Sequence, residues 1–112
     1  MSEPANFPEL LAGGWRQMAF EPFSEGVEIA WLSNQGEEGG TALLRYVPGA
    51  SVPRHLHVGL ETIVVLDGEQ SDDRGTYPAG TVITNPPGYT HAVWTETGCT
   101  ILICWNKPVQ FV

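Results

Sequence analysis

The chain has 112 residues, a length that suits one domain around a single hydrophobic core. It carries 13 Asp and Glu against 5 Lys and Arg, for a formal charge of −8, so it has no basic cluster with which to bind nucleic acid or an anionic membrane. Its 13 glycines and 9 prolines recur at short intervals, which favours brief strands and turns over helices.

Seven strands are predicted along the chain, separated by turn-forming residues. They span 14–20, 27–32, 41–47, 61–67, 81–84, 91–95 and 100–105. No stretch shows the 3.6-residue periodicity of an amphipathic helix. Short strands at this spacing are typical of an all-β barrel or sandwich, the jelly roll included.

The N-terminal region is expected to differ from the rest. Residues 1–12 are broken by Pro4 and Pro8, lack the features of a signal peptide, and are predicted to be a flexible lead-in. Several apolar side chains follow, and we expect a second subunit to cover them in a homodimer. These side chains are Trp15, Met18, Phe20 and Phe23.

The three histidines of the chain indicate a metal site. His55 and His57 lie two residues apart, so both imidazoles point to the same face of an extended strand. Glu61 begins a β-branched run, and His91 lies on a later predicted strand. Three imidazoles and a carboxylate suit a divalent ion of borderline softness, so we predict one metal ion per chain at these four residues. The alternatives are ordinary backbone-bonded histidines, and a Glu61 that contacts the ligands instead of the ion.

The residues around these side chains resemble both motifs of the cupin superfamily. The first motif reads Gly-x5-His-x-His-x3-Glu-x6-Gly at 49–68, and the second reads Gly-x5-Pro-x-Gly-x2-His at 80–91. Further stretches at 72–80, 85–88 and 98–102 resemble the cupin domain of ChrR-type anti-sigma factors. The resemblance covers about residues 40–106. It implies that residues 1–112 form a small single-domain cupin, a double-stranded β-helix or jelly-roll barrel, with its metal-site motifs at 49–68 and 80–95.

Two departures limit what this resemblance implies. The second cupin motif usually ends in Asn, and Thr95 holds that place here. In ChrR-type proteins a zinc domain that captures the sigma factor precedes the cupin, whereas residues 1–40 contain no His or Cys. The resemblance therefore implies the barrel, a divalent metal (zinc in ChrR itself) and the four ligands, and sigma-factor capture is not expected.

Three functions remain open at this point. The first is a metal-dependent enzyme acting on a small organic molecule, with dioxygenation of a carbonyl compound as the chemistry when the ion is iron(II). The second is a zinc-binding module that senses a ligand or redox change, as the resemblance to ChrR suggests. The third is a structural ion that stabilises a small barrel. Zinc and iron(II) are the leading ions, with manganese and nickel as alternatives, and a small molecule is the expected partner.

The remaining chemically active residues have less specific signals. Arg45 is predicted either to reach the barrel mouth and hold an anion or to lie on the surface of an edge strand. Cys99 and Cys104 lie five apart on one strand, on opposite faces and roughly 16 Å from each other, so we expect no disulfide, two inertly packed thiols and a cytoplasmic protein. Four aromatic residues either line a ligand pocket or fill the core. They are Trp31, Tyr46, Trp94 and Trp105.

Overall fold

The structure, a computed structural model, describes residues 3–112 and contains ten strands joined by short turns. The strands are β1 (Glu21–Ser24), β2 (Val27–Asn34), β3 (Gly40–Tyr46), β4 (Ser51–Leu56), β5 (Glu61–Asp72), β6 (Gly75–Pro78), β7 (Val82–Asn85), β8 (Thr90–Trp94), β9 (Cys99–Trp105) and β10 (Gln110–Phe111). The helical elements of this part of the chain are two short 3-10 turns, Gly14–Gln17 and Gly36–Glu38. Within residues 3–112, no helix is long and apolar enough to cross a membrane. The all-β prediction is confirmed.

The strands form one curled antiparallel sheet in the order β1-β2-β3-β9-β5-β8-β4-β10. Strand β5 connects its two halves. Its first part pairs with β7 and β9, and its last part pairs with β6 and β8. The register of β5 against β9 shifts between Val65 and Asp67, and β5 meets new partners after Gly68. The same strand therefore contributes side chains to both walls of one interior.

Alternation along the strands fills this interior with apolar side chains. Glu61, Ile63 and Val65 are buried on β5 while the residues between them are less so, and His91 and Val93 alternate inward on β8 in the same way. The main cluster comprises Val27, Ile29, Ala42, Leu44, Tyr46, Ala50, Ile63, Val65, Cys99 and Ile101. The histidine and carboxylate positions thus belong to the buried face, as their strand parity predicts.

The predicted strand at 14–20 is wrong. Gly14–Gln17 form a 3-10 turn, which begins after Gly13 in a left-handed conformation with φ 117°. Strand β1 occupies Glu21–Ser24, a segment predicted to be a turn because of Pro22 and the nearby glycine. Antiparallel pairing with β2 overrides that local preference.

The N-terminal apolar residues do not form one free surface. Trp15 is buried against Ala30 and Leu43, with Met18, Phe20 and Leu10 packed at the edge of the same cluster. Phe23 on β1 remains 57% exposed. The homodimer stays a prediction. The flexibility expected of residues 1–12 also stays a prediction, and residues 1 and 2 lie outside the described part of the chain.

Arg45 lies outside the barrel. Its strand, β3, is paired on both sides, so the expected edge-strand position is wrong. The guanidinium donates to Glu28 at 3.0 and 3.1 Å and lies over the ring of Phe20 at 3.9 Å. A role in holding an anion inside the barrel is therefore excluded.

The two cysteines are free thiols, as expected. Cys99 is buried, and burial raises the pKa of its thiol to about 11. Cys104 is exposed and accepts a long contact of 3.6 Å from the Thr41 hydroxyl. The expectation of inert packing is confirmed for Cys99 and wrong for Cys104, because alternation on β9 turns the second side chain outward.

Candidate metal centre

The four residues of the predicted site are held by three neighbouring elements. His55 lies on β4 directly across from His91 on β8, His57 follows the end of β4, and Glu61 is the first residue of β5. All four are buried, with exposed fractions of 6% or less. The fold thus brings these side chains together from positions up to 36 residues apart, the difference between 55 and 91.

The three imidazoles form a compact cluster. Their ring centroids are 4.7–5.0 Å apart, and a ligating nitrogen from each lies within 4.8 Å of the other two. Such a spacing is suited to one ion bound by three imidazole nitrogens. The carboxylate of Glu61 lies beside this cluster and is not part of the set.

Hydrogen bonds fix the orientation of each imidazole. Every Nδ1 donates to an acceptor outside the cluster, which leaves each Nε2 with a lone pair in the neutral ring. The acceptors are the Pro53 carbonyl for His55 (2.8 Å), the Tyr89 carbonyl for His57 (2.7 Å) and the Asp72 carboxylate for His91 (2.9 Å). Nε2 of His91 is buried and has no hydrogen-bond partner within residues 3–112. An unpartnered lone pair in this position fits a metal ion.

Glu61 and His57 face each other with Oε1 3.1 Å from Nε2, and Asn85 donates to the same oxygen at 3.0 Å. Burial lowers the pKa of His57, but its bonds to Glu61 and to the Tyr89 carbonyl outweigh burial, and the net pKa is raised. Burial raises the pKa of Glu61, but the hydrogen bonds from His57 and Asn85 outweigh burial, and the net pKa is lowered. Both shifts favour a positive charge on His57 beside an ionised Glu61, and a bound cation is another species that satisfies both groups.

His55 behaves differently from His57. Burial lowers its pKa, and this outweighs the opposing effect of its hydrogen bond to the Pro53 carbonyl. The ring is therefore neutral at physiological pH, in the form that ligates metals.

Asp72 is a residue of the site that sequence reasoning missed. Its buried carboxylate accepts hydrogen bonds from His91, from the Arg74 backbone N–H at 2.8 Å and from the Tyr77 hydroxyl at 3.1 Å. Burial raises its pKa, but these bonds lower it more, so the net pKa is depressed. Asp72 is therefore a charged acceptor that sets the tautomer of His91.

Thr95, which replaces the usual Asn of the second cupin motif, has a structural role. Its hydroxyl donates to the Glu69 carbonyl at 2.7 Å and accepts from the Gly98 N–H at 3.0 Å. The side chain is buried and joins the end of β8 to β5 and to the next turn. The departure from the motif leaves the histidine cluster intact.

A cavity of about 760 Å³ adjoins the cluster, and His55 and Glu61 form part of its wall. Most of the wall is aliphatic or aromatic, and the rings of Trp31 and Trp105 pack there with centroids 5.6 Å apart. Tyr46 also lines the cavity, and burial raises the pKa of its hydroxyl, which keeps it neutral. Trp94 is 37% exposed and lies outside the wall, so its predicted role as a lining residue is wrong. The other three aromatic residues do line a cavity.

Comparison with known proteins agrees with this geometry. Residues 11–108 match the family model described as ChrR Cupin-like domain. The anti-sigma-E factor ChrR of Cereibacter sphaeroides is 29% identical over 111 residues, which cover 96% of this chain and 51% of that protein. The chain thus spans about half the length of this relative.

Two solved structures show the same fold. The complex of Rhodobacter sphaeroides SigE with the anti-sigma ChrR matches with a TM-score of 0.70 and 28% identity, over 80% of this chain and 49% of that one. An acetylacetone dioxygenase from Acinetobacter johnsonii matches with a TM-score of 0.75 and 20% identity, over 83% and 71% of the two chains. The second likeness establishes the fold alone. With its barrel, its three-histidine cluster and a family match over most of its length, the chain belongs to the ChrR cupin-like domain family.

Proposed function

We propose that the chain binds one divalent metal ion and presents it to a small, largely apolar organic molecule. His55, His57, His91 and Glu61 are the proposed ligands. The observation that carries the proposal is the convergence of three oriented imidazoles beside a cavity of about 760 Å³. That volume lies in the usual range for small-molecule sites.

Glu61 completes the ligand set in this proposal. Its Oε1 and Nε2 of His57 lie 3.1 Å apart, so both direct lone pairs at the same small region. A cation there takes the place of the proton in this hydrogen bond and bonds to both groups. The side-chain amide of Asn85 donates to the same Glu61 oxygen and keeps the carboxylate in place.

The position of the cavity favours a ligand-binding site over a structural ion. Zinc in a structural site is closed by four protein ligands, but an ion that accepts more than four ligands, such as iron(II), keeps a position for substrate beyond the four proposed here. Here two of the proposed ligands, His55 and Glu61, border the cavity directly. A molecule in the cavity therefore has access to the ion.

The reaction we propose is oxygen-dependent oxidation or cleavage of a small carbonyl compound. Bound iron(II) supplies the oxygen chemistry, as expected for a site with imidazole and carboxylate ligands. The chain itself holds the ion, excludes water with an apolar wall, and offers the neutral hydroxyl of Tyr46 inside the cavity. The fold shared with an acetylacetone dioxygenase is consistent with this choice.

The second candidate is a zinc-binding sensor of a ligand or of redox change, in the cytoplasm. It is favoured by the match to the ChrR cupin-like family. Zinc has no redox chemistry, so such a site senses through ligand binding or through loss of a protein ligand. Both candidates use the same residues. They differ in the bound ion and in whether the protein turns over a substrate.

Elemental analysis of untagged protein, purified without chelator or added metal, is the deciding experiment. The iron-loaded and zinc-loaded proteins are then compared for oxygen uptake with a panel of apolar carbonyl compounds. Iron together with substrate-dependent uptake supports the oxygenase, and stoichiometric zinc without uptake supports the sensor. If the native protein holds no ion and takes up none on reconstitution, both proposals are wrong.

A further inference from the structure

Gln70 is a buried polar residue that the metal site does not use. It lies on β5, is 3% exposed and forms part of the cavity wall. Its Oε1 is buried and has no hydrogen-bond partner in the part of the chain that the structure describes. A buried amide oxygen without a partner is destabilising, so its presence at a cavity wall needs an explanation. The cavity that Gln70 lines is the place where a bound molecule would supply that partner.

The strand register places Gln70 well away from the histidines. Ser71 pairs with Trp94, which puts Gln70 across from Thr95, four residues along the chain from His91. At about 3.3 Å per residue the separation along the strand is roughly 13 Å. The Thr95 hydroxyl bonds to the backbone of the residue before Gln70, in agreement with this register.

Apolar side chains occupy the wall between these two polar positions. Val52 pairs with Val93, which lies two residues after His91 on β8, and both valines line the cavity. The charged residues of the wall are Glu25 and Glu61, and it includes no Lys or Arg from the described residues. An anionic ligand would therefore meet no compensating charge other than the ion itself.

We propose that Gln70 recognises a hydrogen-bond donor at the far end of an elongated, neutral ligand whose other end contacts the metal. This inference rests on the proposed function and specifies its ligand. The ligand class is an apolar molecule about two rings long, with a metal-binding oxygen at one end and a hydroxyl or N–H group at the other. Gln70 is thus a specificity residue, not a ligand of the ion.

Two matched probes test the proposal on the zinc-loaded full chain. They are 4-phenylbenzohydroxamic acid and 4-(4-hydroxyphenyl)benzohydroxamic acid, which differ by one terminal hydroxyl. We expect the hydroxyl to tighten binding roughly tenfold, because it satisfies a buried acceptor. The Gln70→Met variant, of similar length and apolar, should bind both probes equally. No gain in the native protein, or the same gain in Gln70→Met, would overturn the proposal.

Gln70→Glu is the second variant, in case the methionine variant does not fold. It keeps an acceptor at the same position, so it should retain the preference for the hydroxylated probe, and loss of that preference would contradict the assignment. Thermal unfolding of both variants checks the fold.

Failure of the metal site gives a different result. Replacing the hydroxamate by a primary amide in both probes removes the chelating group and keeps the terminal hydroxyl. If hydroxamates bind no better than amides, the proposed function is wrong. The hydroxyl preference within the amide pair still tests Gln70 in that case, with the same two outcomes.

Discussion

Asp72 orients His91 from behind, through a bond of 2.9 Å between two buried groups. Carboxylates in this position raise the basicity of the imidazole and fix its tautomer, and their loss typically lowers metal affinity about 10–100-fold. We expect this decrease in Asp72→Asn, measured by competition against a chromophoric chelator.

The neighbouring acid provides the control for this variant. Asp73 is more exposed and pairs with Arg54 at the surface. Asp73→Asn should bind metal like the native chain. Equal losses in the two variants would show that the effect is one of general charge and not of His91 orientation.

The pH dependence of metal binding follows from the two shifted histidines. The pKa of His57 is raised above its ordinary value of 6.5, so the metal-free ring keeps its proton to a higher pH than an ordinary imidazole and must lose it to bind the ion. The pKa of His55 is lowered, so this ring is already neutral and releases none. Affinity should therefore still rise with pH above 6.5, and it should fall towards pH 5, as protons compete for the rings.

Calorimetric titration measures this competition directly. In buffers of different ionisation enthalpy, we expect metal binding to release protons, and to release more of them at pH 6 than at pH 8. Affinity that does not change between pH 8 and pH 5 would contradict histidine ligation.

At this scale the sequence predicts the histidines well and the supporting acid poorly. His55, His57 and His91 are the three histidines of the chain; their spacing alone gives His55 and His57 a common face, and the two cupin motifs bring in His91. Asp72 and Asp73 are adjacent in a polar hairpin, and parity counted from Glu61 fails after the register shift near Val65. Only the pairing of β5 with β8 decides which acid faces inward.

Among the elements, the course of β5 depends on Gly68, the last residue that pairs with β9. Gly68 has φ 72°, and a Cβ there would lie 2.0 Å from the Gly98 carbonyl oxygen. Gly68→Ala combines backbone strain with a clash that a backbone atom cannot relieve, and we expect a loss of roughly 2–5 kcal/mol in the free energy of unfolding. Urea denaturation measures this loss.

Gly80, another glycine of the cupin motifs, allows the cost of backbone strain to be measured without a steric clash. Gly80 has φ 94°, and a Cβ added there would meet no atom within 4 Å, so Gly80→Ala adds strain alone. Its cost should be roughly 1–2 kcal/mol. A Gly68→Ala variant no less stable than Gly80→Ala would show that the close approach to Gly98 does not matter.

Six of the ten strands lie where the sequence predicts strands, whereas β1, β4, β6 and β10 match none of the predicted strands and the length of β5 was missed. The motif glycine at 68 indicates the end of a strand, so β5 was expected at 61–67, but it continues to Asp72 with new partners. Residues 14–20, with Trp15, Met18 and Phe20, have an apolar pattern that suits a strand equally well, yet Gly14–Gln17 form a 3-10 turn. Long-range pairing decides the length of β5, and a local pattern does not contain it.

For the whole molecule, metal removal should lower thermal stability. An ion that binds only the folded chain stabilises it by about 2.7 kcal/mol when free metal is 100 times the Kd. For a domain of this size we expect the Tm to rise by roughly 10–20 °C on metal addition and to fall again with chelator, as measured by calorimetry. His57→Ala should show no such response, and a metal-induced shift that persists in this variant would contradict the assigned site.

The predicted homodimer now depends on β1, which is one edge strand of the sheet and is exposed along its length. Pairing of this edge with a second copy would cover Phe23. Gel filtration at micromolar concentration should show a dimer, and Phe23→Glu should shift it to a monomer. Val82→Glu, at another exposed apolar position, should leave it unchanged. Elution of the native chain as a monomer would exclude the dimer.

Strand β5 carries Glu61 at its first position and Asp72 at its last, and it meets four other strands on the way. A single codon lost inside this strand would turn one of these acids out of the barrel, because neighbouring residues face opposite sides. Gains and losses of residues during evolution should therefore fall in the turns between strands, while the spacing of eleven between the two acids stays constant. That interval is a marker by which metal-binding relatives can be separated from those that keep only the barrel.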